Sequence, residues 1–143
     1  MKKIIKLFDP SIGKEEEIAI KHVLTSKIWA NGAGVGKVSE FESKFRKYTN
    51  SKNCIAVNSG TAALNLALSL YDIKDKEVIL PSMTFVATAN AVIMNGGKPF
   101  FIDIDENTLN IDLEDLKSAI THKTKIILPV HFGGLSCDMD KIK

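Results

Sequence analysis

Two cysteines, Cys54 and Cys137, are all that 143 residues contain, and they stand far apart with no metal-type spacing. Such a pair builds neither a disulfide framework nor a thiolate metal site, so a reduced, cytoplasmic setting is the simplest account. No apolar stretch reaches the ~20 residues needed to cross a bilayer, so no membrane association is expected. The opening Met1-Lys2-Lys3-Ile4-Ile5 imitates a secretory leader, but Asp9-Pro10 ends the apolar run too early. Neither sign of charge dominates: the formal net charge is +2, and lysines alternate with acids as in Lys14-Glu15-Glu16-Glu17, the pattern of a solvated helix face. A basic stripe interleaved with aromatics is missing, which argues against nucleic acid as a partner. Repeats and low-complexity tracts are missing too. The length suffices for one ordinary domain with a sizeable core, and a soluble globular protein is expected.

The chain is rich in short apolar runs. Residues 11–26 carry Ile12, Ile18, Ala19, Val23 and Leu24 at helical spacing, and a loop rich in glycine follows over residues 28–36. Its Gly32-x-Gly34-x-Gly36 imitates a dinucleotide fingerprint. A helix and not a strand precedes it, however, so a flexible loop is the better reading. Trp29 at the mouth of that loop either pins it to the body or faces a ligand or a neighbouring subunit. Val38, Phe41, Phe45 and Tyr48 predict a second amphipathic helix ending near Asn50. Residues 1–50 therefore read as a helical arm with a Trp/Gly loop, and residues 51–143 as the first part of an α/β domain.

From residue 53 onward strands and helices alternate. Strands are predicted over residues 53–57, 77–80, 99–103 and 125–130, and helices over 61–71, 85–95 and 112–120. Gly96-Gly97 stops the second of these helices. Asp112 caps the third, with Asp115 as a capping-box-like partner. Continuous Val/Ile/Leu/Phe runs are the mark of strands buried on both faces, hence of a parallel sheet with right-handed crossovers. Ligands of such sheets lie at the carboxyl ends of the strands, which places residues 58–61, 81–85, 103–107 and 131–134 at the candidate site. The final Asp138-Met139-Asp140-Lys141-Ile142-Lys143 reads as the opening of another helix, so the domain is expected to continue and the chain to be a fragment.

Between the first predicted strand and helix runs Asn58-Ser59-Gly60-Thr61-Ala62-Ala63-Leu64. A strand turning into a helix points free N–H groups and the positive dipole end outward, and Gly60 lets an anion approach the backbone. Thr61 or Ser59 can add a hydroxyl; equally, either can simply cap the helix with no ligand at all. Phe85 either lies against a planar cofactor ring or is an ordinary core phenylalanine, and spacing alone favours the core. Asp103 and Asp105 read as turn chemistry more readily than as an acid–base or metal pair, so no metal is expected. His131 faces the candidate site from a strand end, where it contacts a ligand or only bonds to backbone. His22 and His122 read as solvated, and no thiol nucleophile can be argued.

Taken together, Asn58-Ser59-Gly60-Thr61-Ala62-Ala63-Leu64, Pro81-Ser82-Met83-Thr84-Phe85-Val86-Ala87-Thr88, Asp103-Ile104-Asp105, Asn110-Ile111-Asp112, Pro129-Val130-His131 and Asp138-Met139-Asp140 resemble the DegT/DnrJ/StrS sugar aminotransferases. The resemblance runs from about Ile12 to the end. It implies a three-layer α/β fold of the aspartate-aminotransferase type, with a mainly parallel sheet and an incomplete large domain. It also implies pyridoxal 5'-phosphate as cofactor, bound through Ser59, Gly60 and Thr61 at the phosphate and Phe85 at the ring, with Trp29 and His131 near the substrate pocket. The implied reaction moves an amino group, with glutamate as donor, onto a keto group of a nucleotide-linked sugar in polysaccharide or secondary-metabolite synthesis. The implied full-length enzyme is a homodimer. By the same resemblance the Schiff-base lysine and the aspartate that pairs with the pyridinium lie beyond residue 143, so no catalytic residue is named and the chain alone is expected to be inactive. Two alternatives stay open: a non-catalytic truncated remnant, and a dehydratase of the same family in which histidine replaces the lysine.

Overall fold

The computed structural model describes residues 4, 6, 8–30 and 35–143. Residues 31–34 of the glycine loop, including Gly32 and Gly34, lie outside the described residues, as does most of the leader-like start. The chain divides into two units, Met1–Ala56 and Val57–Lys143.

The first unit contains helices α1 (Lys14–Ser26) and α2 (Lys37–Thr49). The start of α1 is set by Gly13, whose N–H donates to Glu16 Oε2 at 2.7 Å. This contact holds the Glu16 carboxyl below its ordinary range. Three acidic residues of the first turn complement the helix dipole. Along α2 the predicted stripe forms a ladder of rings, Phe41 to Phe45 at 5.6 Å and Phe45 to Tyr48 at 6.4 Å. Neither helix buries a residue.

The strand expected over residues 53–57 does not form. The segment pairs with no strand, and the Ala56 N–H donates instead to Glu42 Oε1 of α2 at 2.9 Å. An extended run becomes a strand only where a neighbour offers its ladder of donors and acceptors, and none does so here among the described residues.

The second unit is an α/β layer structure. It contains α3 (Gly60–Leu68), β1 (Glu77–Pro81), α4 (Val86–Met94), β2 (Lys98–Ile102), α5 (Leu113–Ala119), β3 (Thr124–Ile127), a 3-10 turn (Phe132–Gly134) and α6 (Met139–Ile142). Three strands in the order β2-β1-β3 make the sheet, and both pairings are parallel. The register sets Ile79 opposite Phe100 on one side and Ile127 on the other, with an irregularity between Glu77 and Val78.

Central β1 explains the layering. Successive side chains of a strand point to opposite faces, so Val78 and Ile79, both wholly buried, serve different cores. Val78 packs with Leu68 of α3, Ala91 and Val92 of α4, and Ile73 from the connection between α3 and β1. Ile79 packs with Ile102, Ile111, Leu116 and Cys137, joined by Met139 and Ile142 of α6. Helices on both faces of a parallel sheet are what its unbroken apolar strands require.

Helix ends follow local chemistry. Helix α4 stops at Asn95, and Gly96 then adopts φ +79°, a conformation glycine reaches without a steric penalty. Asp112 caps α5 by accepting from the N–H groups of Glu114 and Asp115 at 2.9 and 2.8 Å. The expected reciprocal box is not made. Asp115 Oδ2 instead accepts from the Asp103 N–H at 2.8 Å, while the Asp112 N–H goes to the Asp103 carbonyl. A backbone donor at the end of β2 stands closer to that carboxylate than the helix cap does. Asp138 caps α6, accepting from the Lys141 N–H at 3.3 Å.

Candidate functional site

The site is built at the start of α3. Ser59 is extended, and its Oγ accepts from the Ala62 N–H at 3.1 Å. The capping reading is thus right for Ser59. One cap does not exhaust a helix start, because the first turn carries several orphan donors. The N–H groups of Gly60 and Thr61 have no partner among the described residues, and both residues are exposed. A Cβ on Gly60 would meet nothing within 4 Å, so packing does not account for the missing side chain. What the glycine leaves is open space directly over two unpaired donors.

Helix α4 supplies the facing wall. Phe85 stands immediately before it, with φ −73° and ψ 142°, and is 75% exposed. It is therefore not a core phenylalanine. The residues buried from α4 are Ala87, Thr88, Ala91 and Val92, which turn the opposite side of the helix to the sheet. Gly60, Thr61, Leu64, Phe85 and Thr88 line one open cavity of about 700 Å³. The Thr84 and Thr88 hydroxyls share a 2.8 Å hydrogen bond across the first turn of α4, which fixes the segment carrying Phe85.

The two helices are locked by asparagines. Asn95 Nδ2 donates to Asn65 Oδ1 at 3.2 Å and to the Ala91 carbonyl at 2.8 Å, and Asn65 Nδ2 donates to the Thr61 carbonyl at 3.3 Å. Sequence reading missed this pair, although an asparagine inside an apolar helix (Asn65 among Leu64, Leu66 and Leu68) is itself a signal that a polar partner lies opposite.

Other predicted residues lie elsewhere. His131 is exposed beyond β3 and does not line the α3–α4 cavity; its Nδ1 accepts from the Cys137 N–H at 3.0 Å. Trp29, in the first unit, is 69% exposed, and its Nε1–H donates to the Leu24 carbonyl at 3.4 Å. His22 and His122 are exposed. Asp105 does turn chemistry: one carboxylate oxygen accepts from the N–H of Asn107 and from the N–H and hydroxyl of Thr108. Those Thr108 bonds hold its carboxyl below the usual range. No cluster suited to a metal ion occurs among the described residues, and no helix among them is long and apolar enough to cross a membrane.

The sequence profile of the DegT/DnrJ/EryC1/StrS aminotransferase family matches residues 10–143. The chain belongs to this family. It is 49% identical over 134 residues to the spore coat polysaccharide biosynthesis protein SpsC of Bacillus subtilis, covering 93% of this chain and 34% of SpsC. An aminotransferase from Psychrobacter cryohalolentis superposes with a TM-score of 0.84 at 38% identity, covering 93% of this chain and 34% of that one. The GDP-4-keto-6-deoxy-D-mannose-3-dehydratase of E. coli, solved with bound hydrated PLP, superposes equally well at 0.84 and 34% identity, over 95% of this chain and 36% of that one. The chain thus spans about a third of the length of the relatives it matches. Its sheet is the partial, parallel sheet of the aspartate-aminotransferase type expected from the sequence.

Proposed function

We propose that this chain forms the phosphate- and ring-binding part of a pyridoxal 5'-phosphate site in a sugar aminotransferase. The observation that carries the reading is one cavity that joins two unpaired N–H groups, those of Gly60 and Thr61, to the exposed ring of Phe85. The donors suit a phosphate: they point out of a helix start, where the dipole favours an anion, and nothing occupies the space a Cβ of Gly60 would take. Thr61 brings a hydroxyl to the same place, and Ser59 holds the turn by capping. Phe85 offers a flat apolar face for the pyridine ring.

When bound, the cofactor supplies an electron sink for amino-group chemistry. The residues of this chain bind and orient it. No lysine here is assigned as its covalent partner, so the chain by itself is expected to catalyse no amino transfer. A nucleotide-linked keto sugar as substrate, glutamate as donor, a homodimeric full-length enzyme, cytoplasmic location and a role in polysaccharide synthesis complete the proposal, the last supported by the likeness to SpsC. Dehydration of a keto sugar is the second reading, supported by the likeness to the E. coli dehydratase.

Calorimetric titration with pyridoxamine 5'-phosphate tests the binding role, because this form cannot condense with surface lysines. Saturable binding is expected, with pyridoxamine binding much more weakly. Equal affinity for the two would remove the phosphate role, and no binding of either would sink the proposal.

A further inference from the structure

Helix α4 breaks a local rule at its start. The position before a helix is normally filled by Ser, Thr, Asp or Asn, whose side chain accepts from the free N–H groups of the first turn. Here it is filled by Phe85, which has no acceptor to offer, and the helix start has no side-chain cap among the described residues. The ring does not make up for this by packing: it is 75% exposed and belongs to neither core. Local rules are broken in this way where a side chain serves something other than the fold. Phe85 lines the α3–α4 cavity.

Thr88 supplies what the cap position lacks. It is 6% exposed, lies within the first turn of α4 and lines the same cavity. Its N–H donates to the Phe85 carbonyl at 2.9 Å, and its hydroxyl shares the 2.8 Å bond with that of Thr84. A helical threonine commonly turns its hydroxyl to a carbonyl of the preceding turn. This one goes to a side chain ahead of the helix instead. Thr88 is thus tied both to the carbonyl of Phe85 and to the residue before it, and brackets the ring-bearing residue from one buried point.

We propose that Thr88 is a positioning residue for Phe85. Through the Thr84 hydroxyl it holds the start of α4 in one conformation, and so fixes where the exposed ring stands at the cavity. Packing cannot do this for a ring that lies outside both cores. The purpose of the ring rests on the cofactor-site reading above, whereas the restraint on its backbone does not.

The test begins without cofactor, with 15N relaxation of the Phe85 and Val86 amides in the native chain, Thr88→Val and Thr88→Ser. The valine keeps the shape and loses the hydroxyl, and the serine keeps the hydroxyl. Order parameters near the rigid value of about 0.85 are expected in the native chain and in Thr88→Ser, with a fall towards about 0.6 in Thr88→Val. Native values in Thr88→Val would overturn the proposal, as would a loose segment in the native chain. Should Thr88→Val fail to fold, Thr84→Val removes the same bond from its less buried side and is read in the same way. A second arm follows binding. Thr88→Val should weaken pyridoxamine 5'-phosphate by at least about twofold, and by no more than Phe85→Ala does. Inorganic phosphate, which meets no ring, should bind as before, and Thr88→Val should cause no further loss in the Phe85→Ala background. Unchanged affinity, a further loss in that background, or equal weakening of inorganic phosphate would each show that Thr88 does not act through Phe85. If pyridoxamine 5'-phosphate binds to none of these proteins, the cofactor-site reading fails, and the amide order parameters still decide the role of Thr88.

Discussion

Asn95 donates its side-chain amide to Asn65 Oδ1 at 3.2 Å, tying the end of α4 to the middle of α3 across thirty residues of sequence. The same amide reaches the Ala91 carbonyl, so it links its own helix to the neighbour at once. Replacing Asn95 by Ala leaves Asn65 Oδ1 without this donor in a half-buried seam. Loss of a hydrogen bond with one partner left behind costs about 1–3 kcal/mol. Urea unfolding of Asn95→Ala should show a loss of that size, and pyridoxamine 5'-phosphate should bind more weakly because the cavity walls lose their shared anchor. Native stability in the variant would mean that the seam is held by Leu64 and its apolar neighbours alone.

Gly97 separates α4 from β2 where there is no room for a side chain. A Cβ there would stand 2.9 Å from Val92 Cγ1 and 3.0 Å from Ile73 Cδ1, both residues of the buried core. Overpacking of this kind costs about 1–3 kcal/mol. Gly97→Ala is expected to lower the urea midpoint accordingly. An unchanged midpoint would show that Ile73 and Val92 can step aside freely.

Phe85 separates binding from stability. As a 75% exposed ring it contributes little to the fold, and Phe85→Ala is expected to change unfolding free energy by no more than about 0.5 kcal/mol. A stacked ring contributes about 0.5–1.5 kcal/mol, so affinity for pyridoxamine 5'-phosphate should fall roughly twofold to thirteenfold. Calorimetry on both proteins decides it. A large loss of stability with unchanged affinity would return Phe85 to the core reading.

Glu40 makes α2 sensitive to acid. Lys37 and Lys44 bond to its two carboxylate oxygens at 2.6 and 2.7 Å, and these bonds lower its pKa from 4.5 to about 2. A carboxyl depressed in the folded state stabilises that state above its ordinary pKa, and the contribution fades as pH falls through the depressed value. The gain should therefore be complete above pH 4.5 and lost on the way to about 2. The groups are exposed, so added salt should weaken the effect. Nuclear magnetic resonance titration of the Glu40 carboxyl should give the low midpoint, and Glu40→Gln should flatten the acid response of the α2 amides. A midpoint near 4.5 would show that both lysines stay solvated.

Much of this protein could be read along the chain because the deciding forces act within a few residues. The helices follow apolar spacing, the caps at Ser59, Asp112 and Asp138 follow short polar side chains, and Gly96 stops α4 for a conformational reason of its own. The unbroken run of β1 already demanded cover on both faces, and the two cores on Val78 and Ile79 supply it. What the tertiary structure decided were questions of partnership. Residues 53–57 have the composition of a strand, but a strand requires a neighbour, and the Ala56 N–H went to Glu42. Asp115 stands where a capping partner belongs, yet its carboxylate found the Asp103 N–H. Phe85 has the hydrophobicity of a core residue and stands exposed, because α4 turns its other side to the sheet. Periodicity tells which side chains share a face, whereas only the packed chain decides what that face meets.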